Sequence, residues 1–303
     1  MVEIKLSQGA KPGHGGLLPR AKITQEIAHA RKLPFPPESD CHSPASHSAF
    51  SNPQELIGFI NQLRELSGGK PIGIKLCVGQ PAEIVALVQA MVEAGSGPDF
   101  ITVDGGEGGT GAAPPELTNS VGLPLEEGLV LVRNLLQGAG LRSKIRLNAS
   151  GKIGTGFSLA RTVALGADFT CAARAFMLSL GCIQALKCNT NHCPTGIATQ
   201  DESLQYGLDP TIKSHRVYHF HRKTVEASAE IAAIVGYDSL QAIKPNDIMK
   251  RISAEKVRTL EELFPHVDDG SLLTGTCSNK RLQQLWDEVQ DKNKTVYEAR
   301  WIY

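Results

Sequence analysis

DFITVDGGEGGTGAAP, residues 99–114, is a short apolar run that breaks directly into glycine. Phe100, Ile101, Thr102 and Val103 are the aromatic and β-branched residues that suit a strand, and they lack the polar alternation of a half-solvated one. Such a run predicts a buried strand of a parallel sheet. The glycines that follow free the backbone at the strand's C-terminal end, where α/β folds bind ligands. The same order recurs along the chain. PIGIKLCV (71–78) precedes a helix at Glu83–Ala94, with Ile84, Leu87, Val88 and Met91 at helical spacing and Gly95 as a stop. A helix carrying Leu125, Leu129, Val132 and Leu136, ending near Gly138, leads to the strand KIRLNAS (144–150), which runs into ASGKIGTG. Leu159–Leu165 reads as a short helix ended by Gly166, and DFTCAAR (168–174) as another strand. VEIKLSQ (2–8) adds one ahead of these and opens into SQGAKPGHGG, followed by a long loop that includes LPFPPES. Strands separated by amphipathic helices give the α/β class, with a parallel sheet expected to be buried on both faces. Glycine-rich loops after several successive strands favour a (β/α)8 TIM-barrel type over a doubly wound sheet, which would concentrate one fingerprint after its first strand.

Charge excludes some partners. Lys plus Arg equals Asp plus Glu at 31 each, so no basic surplus points to nucleic acid. No run of eighteen apolar residues is present, and the first twenty residues are polar and glycine-rich. The expected location is therefore cytoplasmic, with a membrane anchor in an upstream segment left open. Scattered Cys41, Cys77, Cys171 and Cys277 form no disulfide framework, which also suits a reducing compartment.

Three further cysteines are clustered in CIQALKCNTNHCPTG, residues 182–196. Cys182, Cys188 and Cys193 are separated by five and four intervening residues, close enough for one loop to wrap a soft metal centre. Zinc with His192 as fourth ligand is an alternative, strained because His192 abuts Cys193. Inert buried thiols are another.

SQGAKPGHGG, EGGTGAAP and GCIQALKCNTNHCPTGIATQ resemble, in order and spacing, three signature stretches of the FMN- and iron–sulfur-containing synthase domain of glutamate synthases. The resemblance covers about residues 3–200, and it is closest to stand-alone members without a glutaminase domain. It implies an FMN-binding (β/α)8 barrel of which about strands 4 to 8 are present. The remaining strands would come from an upstream N-terminal barrel segment or a partner chain. It places the barrel at residues 1–245, with the cluster loop at 182–196, and a C-terminal helical extension at 246–303.

The resemblance also assigns residues. Cys182, Cys188 and Cys193 would ligate a 3Fe–4S cluster. Lys75 would face the flavin ring, a reading that fits the cost of an unpaired lysine in an apolar strand. Gly108, Gly109 and Thr110 match the GGTG loop. Ser150, Gly151 and Lys152, with Ala173 and Arg174, fall where the family seats the FMN phosphate, although Ser150 and Lys152 stand where the family more often has an acidic residue and a glycine. Gln8, Lys11 and Arg31 would bind 2-oxoglutarate, whose carboxylates need cationic donors. Leu17 and Arg20 depart from the family's glutamine and glycine in the same loop.

The implied activity is FMN-dependent reductive amination of 2-oxoglutarate to glutamate. An ammonia source supplies nitrogen, and ferredoxin or a flavoprotein subunit supplies electrons through the cluster. Another amino or imino substrate on the same scaffold, or a truncated inactive chain, are the alternatives. Beyond Gln200 the chain reads as outer helices, at His215–Val235 and Leu282–Val289, and His219 and His221 are two apart, poor metal spacing on a helix.

Overall fold

The computed structural model describes residues 1–109, 111 and 113–293. Its centre is a five-stranded parallel sheet of β1 (Val2–Lys5), β2 (Ile72–Leu76), β3 (Phe100–Asp104), β4 (Arg146–Ser150) and β5 (Phe169–Cys171). The strands lie in sequence order with no reversal, as in a barrel and unlike a doubly wound sheet with its switch point. Register brings Lys5 beside Lys75, Lys75 beside Thr102, Thr102 beside Asn148, and Asp104 beside Ser150, which in turn lies beside Cys171. Among the described residues, β1 and β5 each pair on one side only.

The intervening helices are α1 (Pro53–Leu66), α2 (Pro81–Ala94), α3 (Leu125–Gly138) and α4 (Gly156–Ala164). Local chemistry starts and stops them. Asn52 caps α1 by accepting a hydrogen bond from the Glu55 N–H at 2.8 Å, and Pro53 occupies the first turn, where a missing N–H costs nothing. Gly95 ends α2 in the left-handed conformation that glycine takes without penalty. Thr155 and Ser158 close a reciprocal capping box, so α4 begins at Gly156, ahead of its first apolar residue.

These helices cover one face of the sheet. Ile72, Ile74, Leu76, Ile101, Val103, Leu147 and Ala149 pack there against Leu56, Ile60, Leu87, Leu129 and Leu136, all buried. A Leu→Ala change in such a layer costs about 2–5 kcal/mol. The opposite face is only partly buried, less than the apolar runs suggest. It carries Lys5, Lys75, Thr102, Asp104, Asn148, Ser150 and Cys171, and Phe169 is 62% exposed there. The inward residues alternate strictly with the core residues, but several are glycine, threonine, asparagine or serine, which blurs the alternation in the sequence.

Beyond β5 come α5 (Arg174–Leu180), the cysteine loop, and α6 (Pro210–Ile234), capped by Asp209, which accepts from the Thr211 N–H at 2.8 Å. A final helix, α7 (Lys280–Asn293), packs on α2, and Gln89 Nε2 donates to the Trp286 carbonyl at 2.8 Å. Leu272, Cys277, Leu282, Trp286 and Val289 belong to the same hydrophobic core as the sheet. A buried arginine ties the two regions. Arg133 on α3 donates to Asn134 Oδ1, to the Leu165 carbonyl and, at 2.8 Å, to His266 Nε2. Burial pulls its guanidinium down to about 10. No helix among the described residues is long and apolar enough to cross a membrane.

Candidate active site

The C-terminal ends of the five strands surround a cavity of about 430 Å³. Its wall includes Lys75, Gly108, Gly109, Ser150, Gly151, Lys152, Ala173 and Arg174, so the flavin residues named from the sequence meet in one place; Thr110 lies outside the described residues. Gln8 lines it too. Two residues passed over in the sequence join them. Asp104, 7% exposed, faces Lys75 with its Oδ2 3.4 Å from Nζ, which answers the need of an inward lysine for a carboxylate. Lys5 stands beside Lys75 in the register. Burial and the neighbouring charges of Lys75 and Lys11 hold the Lys5 ammonium below its usual range. Both residues had a signal: each ends an inward-facing row immediately before a glycine-rich loop.

Glycine lets the loops interlock. The Gly9 N–H donates to Asp104 Oδ2 at 2.9 Å, and a Cβ on Gly9 would lie 2.0 Å from the Gly105 carbonyl oxygen. The SQG and DGG turns therefore touch backbone to backbone. Arg174 donates to the Gly109 carbonyl, fastening the GGTG loop to the start of α5. Lys152 adopts φ +49°, left-handed backbone that glycine would take freely, at the position where the resemblance expects glycine. Lys5, Lys75, Lys152 and Arg174 are four cations against the one carboxylate of Asp104, a donor set suited to an anionic group such as a phosphate, beside loops whose glycines leave room for close approach.

A second cavity of about 240 Å³ lies under the SQGAKPGHGG loop. Gln8 and Lys11 line it, with Lys5 and His14. Lys5 Nζ donates to Gln8 Oε1 at 3.2 Å. Arg31 is not brought here. It sits exposed in the last turn of the helix Gln25–Arg31, where a cation also suits the helix dipole, and borders neither cavity. Leu17 and Arg20 likewise line neither; the Arg20 N–H donates to Asp40 Oδ1 at 2.6 Å.

Among the described residues no group of three or more His, Cys, Asp or Glu side chains is placed to hold a metal ion. Cys182 Sγ accepts from the Gln184 N–H at 3.4 Å, and Cys188 Sγ lies against Gly111. Lys22 holds the Cys188 and Ala198 carbonyls, the latter at 2.9 Å. Burial raises the Cys193 thiol, but hydrogen bonds from the Thr195 hydroxyl and from the Ala198, Thr195 and Ile197 backbone outweigh it and bring it down to about 7. Thiolates are the right donors for iron.

Residues 1–238 match the family model described as the conserved region in glutamate synthase. The chain belongs to the glutamate synthase family. It is 46% identical over 237 residues to the glutamate synthase large subunit-like protein YerD of Bacillus subtilis, covering 78% of this chain and 44% of that protein. It is 35% identical over 246 residues to the archaeal glutamate synthase [NADPH] of Methanocaldococcus jannaschii, covering 81% and 47%. This glutamate synthase family chain thus spans about half the length of those curated relatives. Among solved structures, the recombinant flavin-binding domain of baker's yeast flavocytochrome b2 is similar at a TM-score of 0.40 and 14% identity, over 84% of this chain and 50% of that one.

Proposed function

We propose that this chain carries the FMN and substrate cavities of a glutamate synthase-type oxidoreductase, which reductively aminates 2-oxoglutarate to glutamate. The observation that carries the reading is the meeting of Lys75, the glycine loops, Lys152 and Arg174 in one cavity at the strand ends. Family membership supports it. Lys152 and Arg174, with the Ser150–Gly151 turn, would hold the FMN phosphate, and Lys75 would sit at the ring. When bound, reduced FMN supplies the hydride that turns the imine of 2-oxoglutarate and ammonia into an amine. Lys5, Gln8 and Lys11 would hold the dicarboxylate, replacing its hydration with cationic and amide donors. The Lys75–Asp104 pair holds the Lys75 ammonium towards the cavity.

Electrons would come from a small redox protein or a flavoprotein subunit. Further parallel strands, from an upstream segment or a partner chain, would pair with β1 and β5, since open sheet edges invite strand addition. The test is glutamate formation by FMN-loaded protein with reduced viologen as reductant. Glutamate should appear only when 2-oxoglutarate and ammonium are both present. Viologen oxidation at the same rate with either omitted would overturn the reading.

A further inference from the structure

Between α2 and the exposed 43–50 segment lies a third cavity, of about 360 Å³, that the proposed reaction does not use. Leu76, Ile84, Leu87 and Phe50 give it an apolar wall, with Phe50 fixed by His47 stacked on its ring at 4.6 Å. Two opposite charges border it: Lys5 from the end of β1 and Glu83 from the first turn of α2. Glu83 is half-buried, and no cation of the described residues lies within ion-pair distance of it. Its hydrogen bond is to the Gln80 backbone, a contact that holds the carboxylate at the helix start without neutralising it. Burial pushes its carboxyl above the usual range, as expected of an acid with no cation of the described residues within ion-pair distance. Cys77 on the same wall is a neutral thiol, pushed up to about 12 by burial first and then by Asp104 and Glu107, and takes no part.

We propose that this cavity binds a small aliphatic amino acid, its ammonium on the Glu83 carboxylate and its carboxylate on Lys5. A zwitterion satisfies both charges at once, which neither a simple anion nor a simple amine does. The branched aliphatic part rests on Leu76, Ile84 and Leu87. Hydroxyls of Ser43, Ser46 and Ser48 border the mouth. Because Lys5 also borders the two cavities at the strand ends, an occupant here shares a cation with them.

The test is calorimetric titration of the whole chain with L-valine. The control is 2-hydroxyisovalerate, which keeps the carboxylate and branched skeleton but has a hydroxyl for the ammonium. Saturable L-valine binding is expected, with 2-hydroxyisovalerate weaker. Glu83→Gln, isosteric and on a half-exposed site, should weaken L-valine by roughly tenfold or more, since it removes the charge from the bond to the ammonium. It should leave 2-hydroxyisovalerate unchanged. Ser46→Trp, on the exposed segment, should block L-valine without touching the core, and checks the site independently of Glu83. Absence of L-valine binding to the wild-type chain, or equal L-valine affinity in wild type and both variants, would overturn the proposal. Neither result bears on the FMN cavity, whose reading stands or falls on flavin binding.

Discussion

The Lys75 ammonium lies 3.4 Å from a carboxylate oxygen of Asp104 on the neighbouring strand, two residues beyond its register partner Thr102. Among the described residues Asp104 has one other donor, the Gly9 N–H, so removing the lysine leaves the buried carboxylate with a single backbone partner among them. Lys75→Met should therefore destabilise the fold by about 1–3 kcal/mol in urea denaturation. Adding Asp104→Asn should recover most of that loss. Strictly additive losses would mean that the two side chains do not act as a pair.

Lys152 separates stability from binding. At φ +49° Lys152 sits in the left-handed region despite the steric cost of its Cβ, so Lys152→Gly relieves strain while adding chain entropy to the unfolded state. The two effects are of similar size, and stability should stay within about 1 kcal/mol of wild type. Affinity for a phosphate-bearing flavin should nevertheless fall, because a cation leaves the cavity wall. Equal affinity in Lys152→Gly and wild type would remove Lys152 from the phosphate seat.

His266 makes the C-terminal packing sensitive to acid. Burial first, and then the Arg133 charge, hold the imidazole below its usual range, with Glu261 opposing. The neutral ring accepts from Arg133 Nη1. The unfolded chain takes up the proton more readily than the folded one, so this contribution is complete above the ordinary histidine range near pH 6.5. It is lost as pH falls from there towards the lower folded value. The urea midpoint should drop on acidification through that window, and drop less in His266→Gln, whose amide oxygen can accept from Arg133 without titrating. An identical pH dependence in both proteins would contradict this.

The sheet was largely legible because its outward residues are unbroken apolar rows: Ile72, Ile74 and Leu76, then Ile101 and Val103, then Leu147 and Ala149. The flavin-side residues were legible through glycine, whose clustering after each strand marks backbone brought close to something. Helix α1 carried a full signal in Asn52, Pro53, Leu56, Ile57 and Ile60, obscured by the proline-rich stretch just before it. Helix α5 was hidden because its first residue, Arg174, closes an apolar run that reads as strand. Lys5 and Asp104 each end an inward-facing row before a glycine-rich loop, but their placement beside Lys75 depends on strand register, which the sequence does not show. In the cysteine loop, spacing permits three thiols to meet, while hydrogen bonds of Lys22, Gln184 and Thr195, invisible in the sequence, each hold a different part of the loop.

The cavity at the strand ends is the centre of the account, and a paired titration with FMN and riboflavin tests it most directly. Both ligands carry the ring that Lys75 would meet; only FMN carries the phosphate that Lys152 and Arg174 would hold. FMN should bind with one site per chain and about tenfold or more tighter than riboflavin, the equivalent of at least 1.4 kcal/mol. Arg174→Ala should erase most of that difference, while Lys75→Met should weaken both ligands together. Equal affinity for FMN and riboflavin in the wild-type chain, or an unchanged preference in Arg174→Ala, would contradict the assignment.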